Sequence, residues 1–155
     1  MFEREITLVG PNGERRAANV FCDQRDWSEN GFSRRECRIE LCADEFDLQS
    51  AAWDFFEAFC GIRDQLATQG FFPLCYGASR CVYPSGLCRD MSAGLIAYRM
   101  QMGRGVRKGD EVNIFDTGPD VEVATVAEQK ESWCKWSNAP KKAIVSMTRR
   151  RRNPR

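Results

Sequence analysis

The sequence predicts an α+β fold: an antiparallel sheet, made of an N-terminal three-stranded meander plus further strands, packed by a long helix and a C-terminal helix. Three observations predict it. Apolar residues alternate with polar ones in successive segments before residue 44, the period then changes to threes and fours, and Thr125-Val-Ala-Glu128 is a capping box near the end.

Phe2, Ile6 and Leu8 alternate with Glu3, Glu5 and Thr7, the pattern of a half-buried strand. Gly10-Pro-Asn-Gly13 is a turn signal, and Arg15–Asp23 follows as its hairpin partner. A polar loop around Asp26–Gly31, carrying Trp27, leads to a third strand, Arg34–Ala43, with Cys37, Ile39 and Leu41 inward and Glu36, Arg38 and Glu40 outward. Over Asp47–Gln69 the residues Leu48, Ala52, Phe55, Phe59, Ile62 and Leu66 form a helical stripe, capped by Asp44 or Asp47 and ended by Gly70. Such a stripe must cover a sheet, which makes Phe55, Phe59 and Ile62 central core residues. Phe71–Tyr76 reads as a short strand that Pro73 restricts to an edge. Leu95–Met102 and Val112–Phe115 read as strands, and the last helix runs from Thr125 to about Trp136. The expected order is βββ-α-β-loop-ββ-α. Residues 1–140 form one domain, followed by a basic, flexible tail over 141–155.

Charge and composition narrow the function. There is no histidine, which removes Ser-His-Asp and Cys-His catalysis and imidazole metal sites. The net charge of +1 divides unevenly: residues 141–155 hold seven Lys or Arg and no acid, so residues 1–140, with 16 basic and 22 acidic side chains, carry −6. An acidic body repels nucleic acid and attracts a basic protein, and nucleic acid is left only the tail to bind. The eight cysteines contain no CxxC pair, and several occupy apolar slots of periodic segments. They read as core thiols, with no metal and no cofactor expected. The opening Met-Phe-Glu-Arg-Glu lacks the apolar stretch of a secretory signal, and no membrane-length apolar run exists, so a cytoplasmic protein is expected.

Eight of the twelve glycines lie between Gly70 and Gly118. The densest part, residues 75–94, reads as an ordered, exposed recognition loop because it also carries tyrosines and arginines. Tyr76, Arg80, Tyr83 and Arg89 are its candidate partner-binding anchors, with Asp90 beside them and Asp116 and Asp120 as an acidic rim. A second reading uses the same loop for a small anion: Arg80 and Arg89 hold it, Ser79 or Ser85 donates, and Asp90 or Asp116 serves as base.

Cys75-Tyr-Gly-Ala-Ser-Arg80, Tyr83-Pro-Ser-Gly86, Arg89-Asp-Met91, Phe115-Asp-Thr-Gly-Pro-Asp-Val-Glu122 and Thr125-Val-Ala-Glu-Gln129 together resemble a group of small bacterial proteins without an established activity. The resemblance covers about residues 45–136. Proteins of this size and style are similar to immunity proteins of polymorphic toxin systems. That resemblance implies a cytosolic single domain that binds a cognate protein toxin, with no catalytic motif to carry over.

Overall fold

The computed structural model describes residues 1–142. Its elements are β1 (Phe2–Val9), β2 (Arg15–Glu29), β3 (Phe32–Ala43), β4 (Phe46–Ala52), α1 (Phe55–Ala67), β5 (Phe72–Pro73), β6 (Val82–Tyr83), α2 (Gly86–Ser92), β7 (Ile96–Arg99), β8 (Glu111–Asn113) and α3 (Val126–Asn138). The fold is α+β as expected. A five-stranded antiparallel sheet has the order β4-β3-β2-β1-β5, and a smaller one the order β6-β7-β8. The core lies between the large sheet and α1. Ile6, Leu8, Val20, Cys22, Cys37, Ile39 and Leu41 from the strands meet Phe55, Phe56, Phe59, Ile62 and Leu66 from the helix.

The meander has four strands rather than three. Residues 47–52, expected to open the long helix, belong to β4, which pairs with β3 from Cys37↔Ala52 to Ala43↔Phe46. Leu48 and Ala52 stand four apart, a spacing that suits both periods. The deciding pattern is the alternation of exposed Asp47, Gln49 and Ala51 with half-buried Leu48, Ser50 and Ala52. The helix therefore begins at Phe55, and its N-cap is Asp54, not Asp44 or Asp47. The Asp54 carboxylate accepts the Glu57 backbone N–H at 2.7 Å. Gly70 does mark the helix end, at φ +78° two residues beyond the cap residue Thr68.

The polar loop expected around Asp26–Gly31 is strand. β2 and β3 stay paired to Glu29↔Phe32 and close through Asn30-Gly31, at φ +50° and +78°. Asn-Gly is the dipeptide that supplies two left-handed residues for a two-residue hairpin turn.

The glycine-rich stretch is ordered but neither a loop nor mainly exposed. A 3-10 turn at Tyr76–Ala78 is followed by β6 and α2. Ser85 caps α2 by accepting the Cys88 N–H at 3.1 Å, and Ala93 and Gly94 end it at φ +52° and +76°. Cys75, Tyr76, Ala78, Ser79 and Val82 are buried. Pro73 does sit on an edge strand, β5 against the end of β1. The later strands are shorter than expected: β7 and β8 hold only residues 96–99 and 111–113. The capping box before α3 forms both of its bonds, Glu128 N–H to Thr125 at 3.1 Å and Thr125 N–H to Glu128 at 3.3 Å.

The start of the basic segment is tied down. Lys141 Nζ lies 4.4 Å from the centre of the Trp136 ring and donates to the Trp136 carbonyl at 3.0 Å. The expectation of a flexible tail falls otherwise on residues 143–155, outside the described residues.

Five cysteines, Cys22, Cys37, Cys60, Cys75 and Cys88, are buried, whereas Cys81 is exposed. Burial pushes the Cys22 and Cys75 thiols up to about 12, and those of Cys37 and Cys60 up to about 11. At pH 8 fewer than about one in a thousand of these four is thiolate, the reactive form. In native protein a thiol reagent is expected to modify Cys81 first and leave those four untouched until unfolding. Mass mapping that finds two of the four labelled as fast as Cys81 would contradict this packing.

Candidate functional site

The sequence-predicted site residues fall into two groups. Most of the anchors are engaged within the fold. Tyr76 donates its hydroxyl to Asp120 at 2.6 Å, and Arg99 approaches the other oxygen of that carboxylate at 3.3 Å. The Tyr76 hydrogen bond first, and Arg99 after it, hold the Asp120 carboxyl below the usual carboxylate range. Arg80 pairs with Glu128 at 2.5 Å and Glu122 at 3.3 Å. Arg89 donates to the fully buried Asp54 at 2.8 Å and lies over the rings of Phe56, Trp53 and Tyr83. Tyr83 in turn stacks on Trp133, with ring centres 4.8 Å apart. Asp90 and Asp116 are exposed, Asp116 at 3.7 Å from Arg4. The structure thus joins Tyr76 to Asp120 and Arg89 to Tyr83, but leaves Arg80 and Arg89 on separate carboxylates. They form no shared anion cradle.

Two of the segments that carried the resemblance, 75–80 and 125–129, meet in a buried hub with Arg63 of α1. Arg63 Nη1 donates to Gln129 Oε1 at 2.6 Å and to the Gly77 carbonyl at 3.0 Å, and Nη2 to the Ala124 carbonyl at 3.0 Å. The Gln129 amide donates to the carbonyls of Gly77, Ser79 and Val82. One guanidinium and one amide therefore lock α1, the 76–82 segment and α3 together.

A different surface has the makings of an interface. β1 stops pairing at Phe2↔Cys22 and β4 at Ala52↔Cys37. Beyond those rungs the β2–β3 hairpin continues as a two-stranded arm from Asp23 to Glu36. On the face that continues the core rows of Cys22 and Cys37, apolar residues give way to Gln24, Asp26, Ser28, Ser33 and Arg35. The change from apolar to polar is what sends the arm out of the core. The opposite face pairs Asp23 with Arg38, Arg25 with Glu36, Trp27 with Arg34 and Glu29 with Phe32. Arg25 lies over Trp27 and Arg34 over Phe32.

Arg35 fixes the arm to the body. Its guanidinium donates to the carbonyls of Trp53 at 2.8 Å, Arg89 at 2.9 Å and Asp90 at 3.3 Å. The last two lie in the final turns of α2, the negative end of its dipole. Between arm and body is an open cavity of about 770 Å³, lined by Asp26, Trp27, Ser28, Arg34, Trp53 and Asp90 among others. Leu87, Asp90 and Met91 share a face of α2 by their spacing. Five of the seven large hydrophobics exposed among the described residues belong to this surface: Trp27, Phe32 (65% exposed), Trp53 (50%), Leu87 (64%) and Met91 (80%). Of the residues expected at the site, only Asp90 lines this cavity, and Arg89 meets the surface through its carbonyl on Arg35 and its stacking on Trp53. Asn30-Gly31 was the sequence signal for the arm, and Trp27 and Trp53 the signal for its chemistry.

A search against protein-family models and a search of curated proteins both return no match. Among the described residues no helix is long and apolar enough to cross a membrane.

Proposed function

We propose that this protein is a binding module that neutralises a bacterial toxin by direct contact, an immunity protein acting in the cytoplasm, and that it grips its partner with the β2–β3 arm, Trp53 and the outer face of α2. One observation carries the reading: exposed tryptophan, phenylalanine and arginine are concentrated on a rigidly anchored projection. Trp and Arg dominate interface energetics, and a paired hairpin ordered in advance loses little entropy on docking. The charge of −6 on residues 1–140 favours a basic partner and speeds its capture. The anion-binding alternative built on Arg80 and Arg89 loses support, since both side chains are occupied by carboxylates of the fold.

The test is co-expression with the toxin-like product of a neighbouring gene. Cells making the full protein are expected to grow. Cells making a chain in which residues 26–35 are replaced by Asn-Gly, which restores a tight turn between the paired Arg25 and Glu36, are expected to die although that chain remains folded. Equal protection by the shortened chain would remove the arm from the account.

A further inference from the structure

The arm leaves one edge of β2 without a neighbour. β1 pairs with β2 only as far as Phe2↔Cys22, and beyond that rung residues 23–29 are exposed without a break. Natural sheet edges are kept from pairing by proline, lysine, bulges or shortness. β2 and β3 hold no proline and no lysine, and their register runs from Asn19↔Cys42 to Glu29↔Phe32 without a bulge. A two-stranded ribbon by itself is marginal in water, and added strands stabilise it.

The turn determines which groups this edge offers. A two-residue loop at Asn30-Gly31 makes Glu29↔Phe32 a hydrogen-bonded rung. Bonded and non-bonded rungs alternate in an antiparallel pair, so Trp27↔Arg34 and Arg25↔Glu36 are bonded as well. The backbone N–H and C=O of Gln24, Asp26 and Ser28 therefore turn outward, to a side where no described strand lies. Along the outer face of the same edge stand Asp23, Arg25, Trp27 and Glu29 in succession. Among the described residues Arg25 has no ion pair, its guanidinium lying over Trp27, and Glu29 has only the exposed Arg34 at 3.7 Å.

We infer that a second copy of this chain pairs its own β2 along this edge, antiparallel, about a two-fold axis at Trp27. The residues select that register. It sets Arg25 opposite Glu29 of the second copy, and Glu29 opposite the second copy's Arg25. Asp26 and Ser28 then exchange backbone hydrogen bonds on both sides of the axis. The two tryptophans meet at a non-bonded rung, where Cα atoms approach to about 4.5 Å and aromatic side chains touch. Other registers lose this match. An axis at Asp26 opposes that carboxylate to itself and Asp23 to Glu29, one at Arg25 opposes arginine to itself, and one at Ser28 sets Trp27 against Glu29. Such a pair is closed, because each copy uses the same edge and leaves none for a third. Trp53 and α2 lie on the β3 side of the arm, where Arg35 fastens them, and stay open to another protein. The inference goes beyond the toxin-binding reading, and either can fail without the other.

The test is sedimentation equilibrium of the full chain at low salt, up to about 1 mM. A reversible monomer–dimer equilibrium is expected, with a Kd no weaker than about 100 µM. Arg25→Glu and Glu29→Arg each place like charges opposite one another at both contacts, and each is expected to weaken the dimer about tenfold or more. Mixed in equal amounts, the two variants can form a pair in which both contacts are complementary again. Dimerisation of the mixture is expected to return to within about threefold of wild type. Should either variant loosen the arm, Asp26→Pro removes an outward N–H without touching the β2–β3 rungs. It is expected to weaken the dimer about tenfold, whereas Asp26→Asn, which keeps that N–H, changes it less than about threefold. A chain still monomeric at about 1 mM, charge variants that pair like wild type, or a mixture no tighter than its components would each overturn the inference. The first of these outcomes would leave the edge to a strand of another protein.

Discussion

Replacing Gln129 by Leu is expected to destabilise the protein by about 3–5 kcal/mol, although the two side chains are similar in size. Arg63 is 3% exposed and Gln129 1%, and among the described residues no carboxylate pairs with the guanidinium. Burial opposes that charge, and it is tolerated because three oxygens, those of Gln129, Gly77 and Ala124, accept from it. The leucine side chain would remove the shortest of those contacts, and would also strip a donor from the carbonyls of Gly77, Ser79 and Val82. Urea unfolding monitored by circular dichroism measures the loss. The double variant Arg63→Met, Gln129→Leu should recover part of it, because the stranded charge is then gone. A Gln129→Leu midpoint equivalent to less than about 1 kcal/mol, within the range of ordinary surface changes, would mean that the hub does not hold the two helices and the 76–82 segment together.

Phe59→Ala is expected to cost about 3–5 kcal/mol through a cavity that the surroundings cannot close. Phe59 is fully buried and meets Phe115 edge to face at 5.2 Å. A Cβ added at Gly77 would stand 3.2 Å from its ring, so backbone packs directly on it as well. The collapse needed to fill the space would have to move α1, the residues that follow β8 and the 3-10 turn together. Trp53→Ala, at a half-exposed position, should stay within about 1 kcal/mol of wild type in the same assay. Similar losses for the two variants would contradict the placement of α1 against the sheet.

The core was legible in the sequence because its signals were unambiguous where the period was clean. Cys37, Ile39 and Leu41 alternate without interruption, and Phe55, Phe59 and Ile62 fall on one stripe, and all six are buried. Legibility failed where one spacing served two structures. Leu48 and Ala52 fit a helix as well as every second residue of a strand, and the alternating exposure over residues 47–52, together with the cap at Asp54, decides between them. The glycine-rich stretch misled for another reason. Glycines there admit close contacts, such as Gly118, where a Cβ would collide with the Tyr76 hydroxyl, and Gly94, where one would stand 3.0 Å from Asp54. They let tyrosine and arginine be drawn inward, so residue types that resemble an interface became scaffold. The candidate surface was missed because a polar two-stranded ribbon has no hydrophobic period to reveal it. Its one local sign, Asn30-Gly31, sat inside what read as a loop.

The measurement that bears most directly on the binding account is the affinity of a Trp27→Ala, Trp53→Ala variant for the proposed partner, a purified toxin, read with its melting temperature. Both tryptophans line the arm cavity and neither is buried. The account predicts a melting temperature within a few degrees of wild type and an affinity lower by more than about 2 kcal/mol, roughly thirtyfold in Kd. Unchanged affinity in a stably folded variant would contradict it, and would place the partner on another face of the molecule.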